Sequence, residues 1–160
     1  MIYHSPAGSL KIIITDNFIS ELKFIDNDAN ETATDSAGLS SKGKNALQIC
    51  IRQLDEYFSG TRKIFDFPFR QTGTDFQQRV WKELIQIPYG KTINYLQLAQ
   101  RIGDVKSIRA AASANGRNRL SIVVPCHRVI GSDGSLTGYA GGLARKKWLL
   151  DHENKYANGV

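Results

Sequence analysis

Three consecutive residues, Cys126, His127 and Arg128, bring a thiol, an imidazole and a guanidinium together inside an otherwise apolar stretch. A thiol becomes a soft nucleophile when it deprotonates, and neighbouring cations lower its pKa. Residues 122–124 are Ile-Val-Val and read as a short buried strand. Pro125 has no N–H to give to a sheet ladder, so the strand is expected to end there and hold the thiol at a rigid strand terminus. Val129-Ile130 then resumes the apolar pattern. Taken alone, the triplet fits a buried cysteine with two solvated basic neighbours better than a reactive one. The flanking sequence reverses that balance.

The chain has 160 residues and two cysteines, Cys50 and Cys126, with no Cys-x-x-Cys pair and only three scattered histidines. A structural zinc site is therefore not expected, and reduced thiols in a cytoplasmic protein are. No apolar run is long enough for a membrane span, and the N-terminus lacks the basic-then-apolar pattern of a secretion signal. Charge is uneven. Residues 1–78 carry 8 Lys/Arg against 10 Asp/Glu, a net of −2, whereas residues 79–160 carry 13 against 5, a net of +8. A basic second half points to a polyanion as its partner, although an ordinary basic surface also accounts for it.

The elements that must position the triplet can be read in order. Leu10, Ile12 and Ile14 alternate, Asp16-Asn17 marks a turn, and Leu22 and Phe24 alternate beyond it, which predicts a β-hairpin. Residues 26–43 are polar and read as a loop. Over residues 45–58, Leu47, Cys50, Ile51, Leu54, Tyr57 and Phe58 recur at helical spacing, so Cys50 is expected to be an inert core thiol. Phe65, Phe67 and Phe69 alternate as a strand, with Pro68 marking an edge. Thr74 and Gln77 form a capping-box pattern before a helix whose apolar face is Phe76, Val80, Trp81, Leu84 and Ile85.

Two short helical patterns follow. Asn94 caps the first, with Gln97 three residues on, and Gly103 ends it. Ser107 is expected to cap the second, which runs through Arg109, Ala110, Ala111, Ala112 and Ser113 to Asn115-Gly116. Two short helices around a Gly-containing turn form a helix-turn-helix pattern. The alanines let the backbone approach another surface closely and the lone Arg109 projects from them, but a small core helix with a solvated Arg109 fits the same pattern. Residues 138–142, Gly-Tyr-Ala-Gly-Gly, are too glycine-rich for regular structure. A final helix begins near Leu143 and reaches Glu153, with Lys146 and Lys147 on its polar side.

In this order the motifs resemble the O6-alkylguanine-DNA alkyltransferase family, the methylated-DNA–protein-cysteine methyltransferases. The resemblance rests on Gly73-Thr74-Asp75-Phe76-Gln77-Gln78-Arg79-Val80-Trp81, Ile87-Pro88-Tyr89-Gly90, Tyr95 with Leu98-Ala99, Arg109, Asn115-Gly116-Arg117-Asn118, Pro125-Cys126-His127-Arg128-Val129, Gly138-Tyr139-Ala140-Gly141-Gly142, and Trp148-Leu149-Leu150 with His152-Glu153. It is close from Gln53 to Glu153. It implies an α+β chain: a ribonuclease-H-like domain over residues 1–71, and over residues 72–155 a helical domain carrying the helix-turn-helix and the reactive cysteine loop.

The resemblance also implies roles. Cys126 accepts the alkyl group of O6-alkylguanine, with O4-alkylthymine as a further candidate lesion, and is consumed in one turnover without a cofactor or metal. His127 and Glu153 polarise the thiol in a Cys–water–His–Glu arrangement, and Tyr95 protonates the departing base. Arg109 fills the gap left by a flipped base. Ser107, Ala110, Ala111, Ala112, Ser113 and Arg128 contact double-stranded DNA from the minor groove, with the protein acting as a monomer. Asn118 holds the helix-turn-helix against the Cys126 segment, and Val129, Tyr139, Ala140 and Gly141 frame the base. A base edge inside a duplex is out of reach of an in-line nucleophile, so extrusion is required.

Two departures from the family pattern matter. Arg119 stands where Pro is usual, and is expected to loosen the loop and add a phosphate contact. Ala112 stands where many relatives have Gly. Asn94 also replaces the usual Ser, but both cap well.

Three rival readings are weaker. An alkyltransferase-like binding module resembles this fold with Trp at the position of Cys126. A cysteine hydrolase would need Cys126 and His127 to pair, yet neighbours on a strand face opposite ways. A sequence-specific regulator would need more base-reading side chains than Arg109.

Overall fold

The computed structural model describes residues 1–26 and 38–157. The chain is α+β and divides into two compact units, Met1–Gln71 and Thr72–Val160. In the first unit, β1 (Ile2–Ser5), β2 (Gly8–Thr15) and β3 (Phe18–Ile25) form an antiparallel sheet in sequential order. The expected hairpin is β2–β3. Asp16 and Asn17 both take positive φ, 52° and 69°, as a tight hairpin turn demands. Leu10, Ile12, Ile19 and Leu22 are buried and face α1 (Ser41–Phe58), which buries Leu47, Cys50, Leu54 and Tyr57. Burial pushes the Cys50 thiol up to about 12, so it stays protonated and unreactive near neutral pH.

Three expectations for this unit need correction. Most of the predicted loop over residues 26–43 lies outside the described residues, but its last three positions are helical: Ser40 accepts from the Gly43 amide and starts α1 early. The alternating phenylalanines do not form a strand. Phe69 makes one isolated parallel bridge with Ile19, through Ile19 N to Pro68 O at 2.9 Å and Arg70 N to Ile19 O at 3.0 Å. The three rings instead pack edge-on in series, with Phe65–Phe67 and Phe67–Phe69 centroids 5.9 and 5.8 Å apart. Aromatic packing satisfies them without a ladder. Finally, β1 had no alternating apolar signal and was not expected.

The second unit is mainly helical: α2 (Asp75–Ile85), α3 (Tyr95–Ile102), α4 (Ile108–Gly116) and α5 (Leu143–Ala157). A two-residue parallel pair, β4 (Ile93–Asn94) with β5 (Val129–Ile130), ties the start of α3 to the segment after Cys126. Both expected capping boxes are present, Thr74 with Gln77 and Asn94 with Gln97. Gly103 leaves α3 in the left-handed region at φ 96°, which a side chain would resist. α2 buries Val80, Trp81 and Leu84, and the Trp81 indole N–H donates to Ala114 O at 3.0 Å, which fixes α4 against α2. Ile85 is 44% exposed and does not belong to the expected apolar face, because α2 ends at that residue. Ser107 does not cap α4. Its hydroxyl donates to Asp104 O at 2.6 Å, within a short 3₁₀ turn over Val105–Ser107. Among the described residues no helix is long and apolar enough to cross a membrane, and no three His, Cys, Asp or Glu side chains are grouped to hold a metal.

Candidate active site

Cys126 does not sit at a strand end. Residues 121–124 form a buried turn, and Cys126 opens a 3₁₀ turn over Cys126–Arg128 that leads into β5. The apolar run that resembled a strand is buried without a ladder partner. Short apolar runs leave this ambiguity, which only packing resolves. Ile122 is held at φ 73°, an unfavourable conformation for a β-branched residue, so the surrounding contacts must hold it there. Asn118 supplies several of them. Its Nδ2 donates to Val124 O at 2.8 Å and to Leu120 O at 3.3 Å, while its Oδ1 accepts from Leu120 N at 3.0 Å. One side chain therefore clamps both ends of the turn that delivers the thiol.

Behind the thiol lies a buried ionic network. Glu153, on α5, accepts from His127 Nε2 at 2.8 Å and from Arg128 Nε and Nη2 at 2.7 and 3.0 Å. Arg128 Nη1 donates to Ile87 O at 2.8 Å, and the guanidinium lies 5.6 Å from the Tyr89 ring centroid. His127, Arg128 and Glu153 are 0%, 5% and 1% exposed. Burial opposes the charge on Glu153, but His127 and Arg128 outweigh it and hold the carboxyl well below the usual carboxylate range. An ionised carboxylate only accepts hydrogen bonds, so the proton on His127 resides at Nε2. The other nitrogen, Nδ1, is buried and has no hydrogen-bond partner among the described residues.

This network corrects the expectation for Arg128. It cannot contact a DNA phosphate from the interior, because both its faces are committed to Glu153 and Ile87.

Lys146 is a second correction. Expected on the polar side of the last helix, it is fully buried, with Nζ donating to Val129 O at 2.7 Å and Thr137 O at 2.8 Å. Three residues before Leu149 and seven before Glu153, it shares their inward face. That phase in the sequence could have identified it. Burial lowers the Lys146 pKa, and the neighbouring Cys126 opposes the shift. Burial also pushes the Cys126 thiol up, with the Asn118 side chain and Lys146 pulling it back. The resting thiol is therefore protonated near neutral pH, and a base is needed to activate it.

Cys126 lines a narrow cleft with Asn115, Asn118, Ser121, Tyr139 and Ala140. Tyr95, the first residue of α3, donates weakly to Thr137 O at 3.4 Å, and burial raises its pKa, which keeps its proton in place. Val129 is fully buried and is not among the residues that line the cleft; its carbonyl accepts from Lys146 Nζ. Gly141 O accepts from Arg145 Nη1 at 3.3 Å, which anchors the glycine-rich loop to α5.

On α4, Arg109, Ala110 and Ser113 are exposed and Ala112 is partly so, but Ala111 is fully buried. Ala111 faces the helix core, so it cannot belong to the outer face expected of it. Arg119 donates to Thr72 O and, at 3.4 Å, to Thr72 Oγ1, rather than projecting as a phosphate ligand.

Comparison with known proteins identifies the family. Residues 75–155 match the family model described as 6-O-methylguanine DNA methyltransferase, DNA binding domain, and residues 1–71 match its ribonuclease-like domain. The methylated-DNA–protein-cysteine methyltransferase of Mycobacterium tuberculosis H37Rv is 41% identical over 153 residues, 96% of this chain and 90% of the relative. The constitutive methyltransferase of Bacillus subtilis 168 is 41% identical over 150 residues, 93% and 91% of the two chains. Among solved structures, Mycobacterium tuberculosis O6-methylguanine methyltransferase superposes with a TM-score of 0.80 at 36% identity, covering 99% of this chain and 94% of that one. The same organism's OGT in complex with DNA gives 0.84 at 39% identity, covering 97% and 92%.

Proposed function

Because the chain belongs to the methylated-DNA–protein-cysteine methyltransferase family, we propose that it repairs DNA by moving the alkyl group of O6-alkylguanine onto Cys126. The observation that carries this reading is the buried thiol on a cleft, backed by a histidine whose Nε2 is fixed by Glu153 and whose Nδ1 is unpaired. The thiol proton passes to His127 Nδ1, bridged by water as in the family pattern. The sulfur lone pair forms an S–C bond to the alkyl carbon. The carbon–oxygen bond breaks and its electrons stay on the guanine, which takes the Tyr95 phenol proton. A thioether has no leaving tendency here, so each molecule reacts once. The decisive test is intact mass after incubation with an oligonucleotide containing O6-methylguanine. One methyl per chain, with product plateauing at one equivalent, is expected. Turnover beyond that would exclude the single-use mechanism.

The protein acts as a monomer in the cytoplasm, and the exposed face of α4, with Arg109, Ala110 and Ser113, enters the minor groove of duplex DNA. Small side chains suit that narrow groove, and recognition independent of sequence suits a repair protein. Arg109 takes the place of the flipped nucleotide. Arg109→Ala is expected to slow repair of duplex DNA at least about tenfold, since unstacking costs a few kcal/mol. Reaction with free O6-methylguanine base should change little. Equal losses on both substrates would place Arg109 in folding or in the pocket instead.

Affinity for duplex DNA should fall steeply with salt and vary little with sequence, given the +8 net charge beyond residue 78. Each phosphate contact contributes a slope of about −0.9 in log affinity against log salt. Lys91, Lys106 and Arg117 are exposed and are the candidates. Arg117→Ala should reduce the magnitude of the slope by about 0.9. Arg119→Pro should leave the slope unchanged and alter stability, because its guanidinium is held by Thr72. A salt titration of both variants checks this.

A further inference from the structure

One buried lysine takes no part in the proton transfers described above. Lys146, on α5, is fully buried, and its Nζ donates to Val129 O at 2.7 Å and to Thr137 O at 2.8 Å. An amine in the interior is tolerated only when hydrogen-bonded, and both of these acceptors lead to Tyr95. Val129 belongs to β5, which pairs with β4, the two-residue strand that ends where Tyr95 begins α3. Thr137 O is the acceptor on which the Tyr95 hydroxyl rests. A closed ring of contacts therefore runs from Lys146 through Val129, the β4–β5 pair, Tyr95 and Thr137, and back to Lys146. A carbonyl oxygen has two lone pairs. Lys146 takes the short bond to Thr137 O at 2.8 Å, and the phenol makes only a long one at 3.4 Å. A normal O–H···O bond is about 2.7–2.8 Å.

We propose that Lys146 is a positioning residue for the leaving group: by holding Thr137 O, it keeps the Tyr95 phenol in a weak resting bond from which its proton is free to leave. This inference rests on the alkyl-transfer reading above. A long hydrogen bond costs little to give up, so the phenol turns readily from Thr137 O to the guanine as the carbon–oxygen bond opens. The phenol O–H bond then breaks, its proton goes to the guanine, and the phenolate takes a proton back from solvent water. Burial raises the Tyr95 pKa, so the proton stays on the phenol until the base departs. Without Lys146, Thr137 O loses its short bond, and the phenol already in contact with it becomes its donor. A full hydrogen bond there commits the proton to the carbonyl. Losing the link to Val129 O also leaves that carbonyl unfixed relative to β4 and Tyr95. This role is exerted on the leaving group and is separate from any effect of the lysine on the sulfur.

The test compares two methyl donors that meet the same sulfur but differ in what leaves. Guanine takes a proton as it departs from O6-methylguanine, whereas iodomethane releases iodide, which needs none. Single-turnover rates on duplex O6-methylguanine, and rates of iodomethane methylation read on the Cys126 peptide, are measured for wild type, Lys146→Met, Tyr95→Phe and the double variant. Lys146→Met is expected to slow transfer from O6-methylguanine about tenfold, as the loss of one hydrogen bond at a buried group predicts. Its iodomethane rate should match wild type. Adding Lys146→Met to Tyr95→Phe should cost no more than about twofold further, because residues that act through one another are not additive. If Lys146→Met does not fold, Lys146→Gln, which keeps one donor group, takes its place. A variant slowed alike on both donors would overturn the inference, since a lysine acting on the thiol or on folding alone does that. So would an unchanged rate on O6-methylguanine, or a tenfold loss that persists in the Tyr95→Phe background. Absence of transfer from O6-methylguanine by the wild-type protein, with Cys126 still methylated by iodomethane, is a distinct result that removes the alkyl-transfer reading itself.

Discussion

Cys126→Ala is expected to abolish alkyl transfer completely while leaving DNA affinity largely intact, because the change is confined to a buried side chain. The thiol supplies the reacting sulfur and no phosphate contact, so chemistry and binding separate at this position. Cys50→Ala should retain the full single-turnover yield, because burial pushes that thiol up to about 12. Its removal should still cost stability, since Cys50 is fully buried in the core. Peptide mapping of the wild-type product distinguishes the two thiols directly. An alkyl group found on Cys50, or transfer surviving in Cys126→Ala, would overturn the assignment.

Glu153→Gln should have the second largest effect, on both stability and rate. The carboxylate takes hydrogen bonds from His127 and twice from Arg128 in the interior. Removing one member of a buried ionic group leaves the others uncompensated, a loss of about 3–5 kcal/mol. In a domain of this size that corresponds to a fall of about 12 °C or more in melting temperature. The rate effect has a separate cause. A glutamine can turn its NH₂ toward His127 Nε2, which moves the imidazole proton to Nδ1 and removes the base that Cys126 needs. General-base assistance accounts for about 10²–10⁴ in rate, so folded Glu153→Gln protein should be slower by that order. Wild-type transfer rates in a folded variant would show that the tautomer is irrelevant to the reaction.

The pH dependence follows from the same pair. Glu153 is ionised more readily in the folded protein than in the unfolded chain. Its contribution is therefore complete above the unfolded carboxylate value near 4.3 and is lost as pH falls below it. The stability gap between wild type and Glu153→Gln should narrow in that acidic window. A gap that stayed constant from pH 6 to about 3 would mean that Glu153 is not the linked group.

The local signals in this chain were legible wherever a short-range rule governs the backbone. Asp16-Asn17 set a hairpin turn, the Thr74/Gln77 and Asn94/Gln97 pairs set helix starts, and Gly103 set a helix end, because each requires only its own neighbours. The order of motifs around Cys126 was sufficient to identify the family. The errors share a cause. Residues 122–124 have strand-like composition but find no ladder partner, and Asn118 binds them into a turn instead. The alternation of Phe65, Phe67 and Phe69 is likewise taken up by ring packing.

Charged side chains were the hardest to place. Arg128 and Lys146 read as solvent-facing cations, as most Arg and Lys are. Both are interior because acceptors from elsewhere in the chain meet them: Glu153, 25 residues along, for Arg128, and the Val129 and Thr137 carbonyls for Lys146. The family was legible in the sequence alone, and the proposed role of Cys126 follows from that resemblance. Which cations stay at the surface and which lie buried behind the thiol was decided by tertiary structure, because desolvating a charge is tolerable only where distant segments supply its partners.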